Sequence, residues 1–159
     1  GEISLECSRP GASAVALWAT QKLLPNVPDG EFAANLKTCR ETALEFYQWL
    51  EGRKDWWPLM APDLDVLVWA PDGKSYSDVS ALSRRVFEEL AARDIHIALV
   101  KVPAAFAAAI RPELIADDST LTCLRVCLMK PEHGVWLDHF MAVLDDLAQL
   151  HKSSVINEV

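Results

Sequence analysis

Thr120-Leu121-Thr122-Cys123-Leu124-Arg125-Val126-Cys127-Leu128-Met129 is the stretch that decides the fold. Successive side chains of an extended chain point to opposite faces. Read as a strand, it puts Thr122, Leu124, Val126 and Leu128 on one side and Cys123, Arg125, Cys127 and Met129 on the other. The Leu/Val face is expected to meet helices. The opposite face then carries a long cation in a semi-apolar setting, which suits a surface docked on another domain, where a guanidinium pairs bidentately with a carboxylate. Spacing alone favours the ordinary reading, a surface Arg bonded to an acid of its own chain.

Working outward, Leu137, Phe140, Met141, Leu144 and Leu147 recur at helical spacing, which predicts a final amphipathic helix over Trp136–Lys152. Upstream, Ile95–Val102 reads as a second strand ended by Pro103, and Ala104–Ile110 as either a helical turn or a loop. Val79, Leu82, Val86, Phe87 and Leu90 predict a helix that Ser77 or Asp78 can cap. Val66–Trp69 is a β-branched, aromatic strand closed by the turn signal Pro71-Asp72-Gly73. Before it, Trp56-Trp57-Pro58 and Pro62 form an extended aromatic connection. A long helix through Phe32, Leu36, Cys39, Ala43, Phe46 and Leu50 ends at Gly52, and an Ala- and Leu-rich helix over Ser13–Leu24 stops before Pro25.

The order α, α, β, α, β, β, α with short connections favours an α+β fold: a small, mainly antiparallel sheet with helices on one face. The expected organisation is a lead-in segment with two helices over residues 1–55 and a small α+β domain over residues 56–159. At 159 residues, 51% apolar and 24% charged, the chain has the composition of one globular domain. A formal charge of −8 without a Lys/Arg cluster excludes a nucleic-acid or anionic-membrane surface. The apolar runs are too short to span a bilayer. Four scattered cysteines argue against a disulfide scaffold and fit a reducing cytoplasm.

No catalytic set can be assembled from spacing. Cys123, Cys127 and the nearby His133 invite a metal reading, but residues four apart on a strand lie roughly 13 Å apart, too far to share one zinc ion. His96, His139 and His151 show no triad or ligand spacing, and Asp138, Asp145 and Asp146 read as a solvated helix face. There is no phosphate loop and no nucleophile elbow.

Glu6-Cys7-Ser8-Arg9-Pro10-Gly11-Ala12, leading into Ala14-Val15-Ala16-Leu17-Trp18-Ala19-Thr20, resembles the stretch that opens the C-terminal part of group II pyridoxal-phosphate decarboxylases, such as those acting on glutamate, aromatic amino acids and tyrosine. Leu124-Arg125-Val126-Cys127-Leu128-Met129 resembles a strand of the same families, and the order of elements between agrees. The resemblance implies the C-terminal domain of a fold type I subunit whose parent is a pyridoxal-phosphate-dependent homodimer. It implies further that Cys7, Ser8 and Arg9 contact the cofactor phosphate and that Arg125 faces the substrate carboxylate. A short polar side chain beside a helix start is also a sensible anion contact, because first-turn amides are free.

One departure is decisive. The family's cofactor lysine follows a His in an Asp-x-His-Lys context, whereas the only His-Lys pair here, His151-Lys152, follows Gln149-Leu150 and reads as helix-end charge. The chain by itself is therefore expected to hold no stable cofactor and to decarboxylate nothing, its partner being the large domain of the parent. A free-standing ferredoxin-like binding or regulatory module is the alternative. In either case the Arg125 face and Trp56-Trp57 are expected to expose apolar surface and to promote self-association.

Overall fold

The computed structural model describes residues 11–156, with side chains through residue 149. Its elements run α1 (Ala12–Leu23), α2 (Glu31–Glu51), β1 (Trp56–Pro58), β2 (Val66–Pro71), α3 (Tyr76–Ala91), β3 (Ala98–Pro103), α4 (Ala104–Ile110), β4 (Thr120–Cys127) and α5 (His133–Ile156). The described chain divides into two compact units between Lys37 and Thr38. In the first, α1 buries none of its residues, and Val15, Leu17, Trp18 and Leu23 are exposed.

The second unit is built on a four-stranded antiparallel sheet in the order β1-β2-β4-β3, the expected α+β architecture. The long strand β4 is central: Val68 and Ala98 flank Arg125 from either side, and Trp69 and Leu99 flank Leu124. As its alternation requires, Leu124, Val126 and Leu128 join Leu67 and Trp69 in one cluster against α2, α5 and the later turns of α3. Phe46, Trp69 and Phe140 meet at its centre, with Phe46 edge-on to Trp69 at 5.2 Å and tilted against Phe140 at 5.3 Å. Such aromatic geometries add to area burial.

Four details differ from the sequence expectations. Trp56–Pro58 is a strand at the sheet edge, where a proline is tolerated because no neighbour needs its missing N–H. Trp56 and Trp57 are 2% and 8% exposed, so they add nothing to an apolar surface; the Trp57 indole donates to the Pro71 carbonyl at 3.0 Å, and Arg111 stacks over its ring. Pairing of β3 begins only at Ala98; Ile95 and Ile97 keep the apolar alternation but lean on the core from an unpaired backbone. Ser75, not Ser77 or Asp78, caps α3, its Oγ accepting the Asp78 amide while the Asp78 carboxylate accepts that of Lys74. In the preceding turn a Cβ on Gly73 would lie 2.7 Å from Val79 Cγ2, so the close approach of turn and helix needs glycine there. Ala104–Ile110, open between helix and loop on sequence, is helical.

The Cys123 side of the sheet is partly covered within the chain. Leu121 and Cys123 pack with Tyr76, Val79, Val102 and Ala107 in a second cluster, to which α4 and the first turn of α3 contribute. Beyond the Trp69–Leu124 pair β2 no longer pairs with β4, and Ser80 of α3 takes its place: the Thr122 amide donates to Ser80 Oγ at 2.9 Å. This satisfies a buried amide that would otherwise have no partner.

Candidate functional site

Arg125 is exposed and lies where sheet pairing runs out. Its neighbour Ala98 is the first paired residue of β3, so Val126, Cys127 and Leu128 continue without a strand on that side. The chain before Ala98 swings away. Asp94 adopts φ 59°, a left-handed conformation that Asp tolerates better than most side chains, and the Ile95 amide closes back on the Leu90 carbonyl. The gap between residues 93–98 and the end of β4 is closed by the first two turns of α5, leaving a cleft of about 650 Å³. Its size suits a small organic molecule.

The walls are mainly apolar, from Ile95, Ile97, Val126, Leu137 and Phe140, with Trp136 standing 65% exposed at the margin. The charged groups are few. Arg93 and Arg125 line the cleft together with one carboxylate residue, Asp94, in a protein whose overall charge is −8. Arg93 is engaged with the Glu89 carboxylate at 2.7 Å, whereas Arg125 has no hydrogen-bond or ion-pair partner among the described residues. The ordinary alternative of an intrachain ion pair for Arg125 is therefore absent within the described residues.

His96, His133 and His139 all line this cleft, three of the chain's four histidines. The His139 ring meets Trp136 edge-on at 6.4 Å, and His133 Nδ1 is buried without a protein partner. Spacing could not reveal this convergence, because the residues come from a loop and from two turns of a distant helix. Among the described residues no set of three or more His, Cys, Asp or Glu is gathered tightly enough to hold a metal. Cys123 sits in the second apolar cluster, where burial pushes its thiol up to about 12, while Cys127 is half-buried in the cleft wall. Cys7, Ser8 and Arg9 lie outside the described residues. The helix that follows them in the sequence, α1, begins at Ala12, and Gly11 before it offers no side-chain cap to the first-turn amides.

This architecture defines the class: an α+β small domain with a cation-bearing cleft at the open end of its central strand. No family model matches the chain, and no curated protein matches it in sequence. Solved structures share its fold. The glutamate decarboxylase domain of diaminobutyrate-pyruvate transaminase and L-2,4-diaminobutyrate decarboxylase from Vibrio parahaemolyticus is similar over 85% of this chain, with TM-score 0.56 and 15% identity. Catharanthus roseus tryptophan decarboxylase, in complex with L-tryptophan, is similar over 84%, with TM-score 0.57 and 11% identity. The matched region is 25% of the first chain and 26% of the second, so this chain spans about a quarter of their length. No helix among the described residues is long and apolar enough to cross a membrane.

Proposed function

We propose that this chain is the C-terminal part of a group II pyridoxal-phosphate-dependent amino-acid decarboxylase, with residues 1–55 leading into a small domain over residues 56–159. The observation that carries the reading is the fold shared over 85% of this chain with only 25% of a decarboxylase-domain structure. The string Cys7-Ser8-Arg9-Pro10-Gly11-Ala12, ahead of the domain in the sequence, supports it independently. The parent is read as a cytoplasmic fold type I homodimer whose large domain supplies the lysine and the aspartate of the cofactor site.

The residues of this chain fit half of such a site. In this reading Cys7, Ser8 and Arg9, which precede α1 in the sequence, contact the phosphate, and Arg125, which has no described partner, receives a substrate carboxylate. Among the described residues no lysine lines the cleft. When bound, pyridoxal phosphate supplies the electron sink for loss of the carboxylate. The contribution of Arg125 is to orient the substrate, and that of the apolar walls is to hold water away from it.

The test compares this chain with a longer one that carries its upstream coding sequence. Mixed with pyridoxal phosphate, the 159-residue chain is expected to show no lysine-dependent visible absorbance band and no CO2 release from amino acids. The longer protein is expected to do both and to lose most decarboxylation on Arg125→Gln. A band from the short chain that vanishes on Lys152→Ala would refute the proposal, as would a start codon immediately upstream with no Asp-x-His-Lys in the gene.

A further inference from the structure

We propose that the free edge of β3 is a docking site for an extended acidic segment of a partner protein, which adds to the four-stranded sheet as a further strand. The proposal uses neither Arg125 nor a cofactor, so it stands or falls apart from the decarboxylase reading.

β3 ends the sheet. It pairs with β4 along the whole of Ala98–Pro103 and, among the described residues, with no other strand. An edge strand turns the N–H and C=O groups of alternate residues away from its neighbour. Outside the β3–β4 ladder, residues 98–102 make no backbone hydrogen bond among the described residues, so that outward row is available to another chain. The pairing runs in register without a bulge, and proline enters only at its last position, so two of the usual devices that blunt an edge are missing. A third is present: Lys101 is exposed.

Charge selects the occupant. Lys101 lies on the same side of the sheet as Leu99, which packs against the first cluster, and its cross-strand neighbour is Thr122. Arg84 of α3 reaches the same position, its Nη1 donating to Thr122 Oγ1 at 3.3 Å. Two exposed cations therefore flank one threonine beside the edge, and exposed Arg85 follows Arg84 on the helix. Lys101, Arg84 and Arg85 have no ion-pair partner among the described residues. The neighbouring acids are Glu88 and Glu89, one turn along α3, and Glu89 is held by Arg93. A second copy fits poorly here: antiparallel pairing of two β3 strands about Val100 sets their Lys101 residues on one face in diagonal contact, roughly 7–8 Å apart. The charge that repels a second copy attracts a strand carrying Asp or Glu at every second position.

The test titrates a capped octapeptide of alternating valine and glutamate into the full chain at neutral pH, following backbone amide shifts and hydrogen exchange by NMR. One control peptide carries lysine in place of glutamate. A second carries proline at its two central valines and cannot extend a ladder. The expected result is saturable shifts at residues 84–85 and 98–102, slower exchange of the outward amides of β3, and an affinity that falls as salt is added. Neither control is expected to give saturable shifts there. Lys101→Glu, at an exposed position, should weaken the glutamate peptide at least about fivefold, and the double variant Arg84→Glu/Lys101→Glu should bind the lysine peptide instead. Equal binding of the proline peptide means ion pairing without strand addition, and equal binding of the lysine peptide means an edge without charge preference; either overturns the proposal. So does a chain that binds none of the peptides, in which Lys101 serves only to keep the edge unpaired, or one that self-associates through residues 98–102.

Discussion

Ser80 and Ser83 are both buried on α3, 7% and 0% exposed, yet opposite consequences follow from replacing them with alanine. Ser80 Oγ accepts the Thr122 amide at 2.9 Å where β2 has stopped pairing with β4. Removing it strands a buried N–H in the central strand, at a cost of about 1–3 kcal/mol. Alanine is a better helix former than serine by about 0.5 kcal/mol, which offsets part of the loss. The net expectation for Ser80→Ala is therefore about 1–2 kcal/mol of destabilisation. The Ser83 hydroxyl is buried with no protein partner, so Ser83→Ala removes an unsatisfied group and gains the same propensity; it should be neutral or stabilising by up to about 1 kcal/mol. Urea unfolding followed by tryptophan fluorescence separates the two. With a slope of about 1–3 kcal/mol per molar urea, Ser80→Ala should lower the midpoint by about 0.5–1 M, and Ser83→Ala should leave it unchanged or raise it. If Ser83→Ala were the more damaging variant, or Ser80→Ala were silent, the account of how α3 completes the edge of β4 would be wrong.

Hydrogen bonds from the Ser77 hydroxyl and amide hold the Asp117 carboxyl at about 2, below the ordinary value near 3.8. A depressed folded-state value means stability present above the unfolded value and lost as pH falls through the folded one, so Asp117→Asn should lower the urea midpoint at neutral pH and converge with the parent near pH 2. Cysteine labelling with a chromogenic disulfide should modify half-buried Cys127 ahead of buried Cys39 and Cys123, whose thiols burial raises, Cys123 to about 12; fast labelling of Cys123 in the folded chain would contradict the second cluster. Phe46→Ala should destabilise by about 3–5 kcal/mol, because it empties the space between Trp69 and Phe140; thermal unfolding reads this directly, and a change under about 1 kcal/mol would contradict that packing.

The helices α2, α3 and α5 and the strand β4 were legible because each carries its period along the whole element, and the buried residues fall on the expected stripes at Phe46, Leu50, Val86, Leu90, Leu144 and Leu147. Elements whose signal is brief or shared were not. Trp56–Pro58 has three residues and a proline, too little for an alternation, and becomes a strand only because β2 offers it a pairing edge. Ile95 and Ile97 alternate like a strand, but the backbone that would pair with them is turned away by the left-handed Asp94. The site divides the same way. Arg125 stood out because a cation in an apolar alternation is a local anomaly, whereas His96, His133 and His139 share no spacing and come together only through the packing of α5 across the end of β4.

By itself, then, the chain's sequence determined the α+β class, the central strand and the face on which Arg125 lies, because side-chain periodicity is a local property of backbone geometry. The proposal of a cofactor contact rests on sequence for the same reason: the string from Cys7 to Ala12 is a set of adjacent residues. Tertiary structure alone decided that the Cys123 half of the second face is filled by α4 and the Arg125 half left open. It alone decided that Arg125 has no described ion-pair partner and that three histidines line the same cleft, because those are relations between residues far apart in the chain.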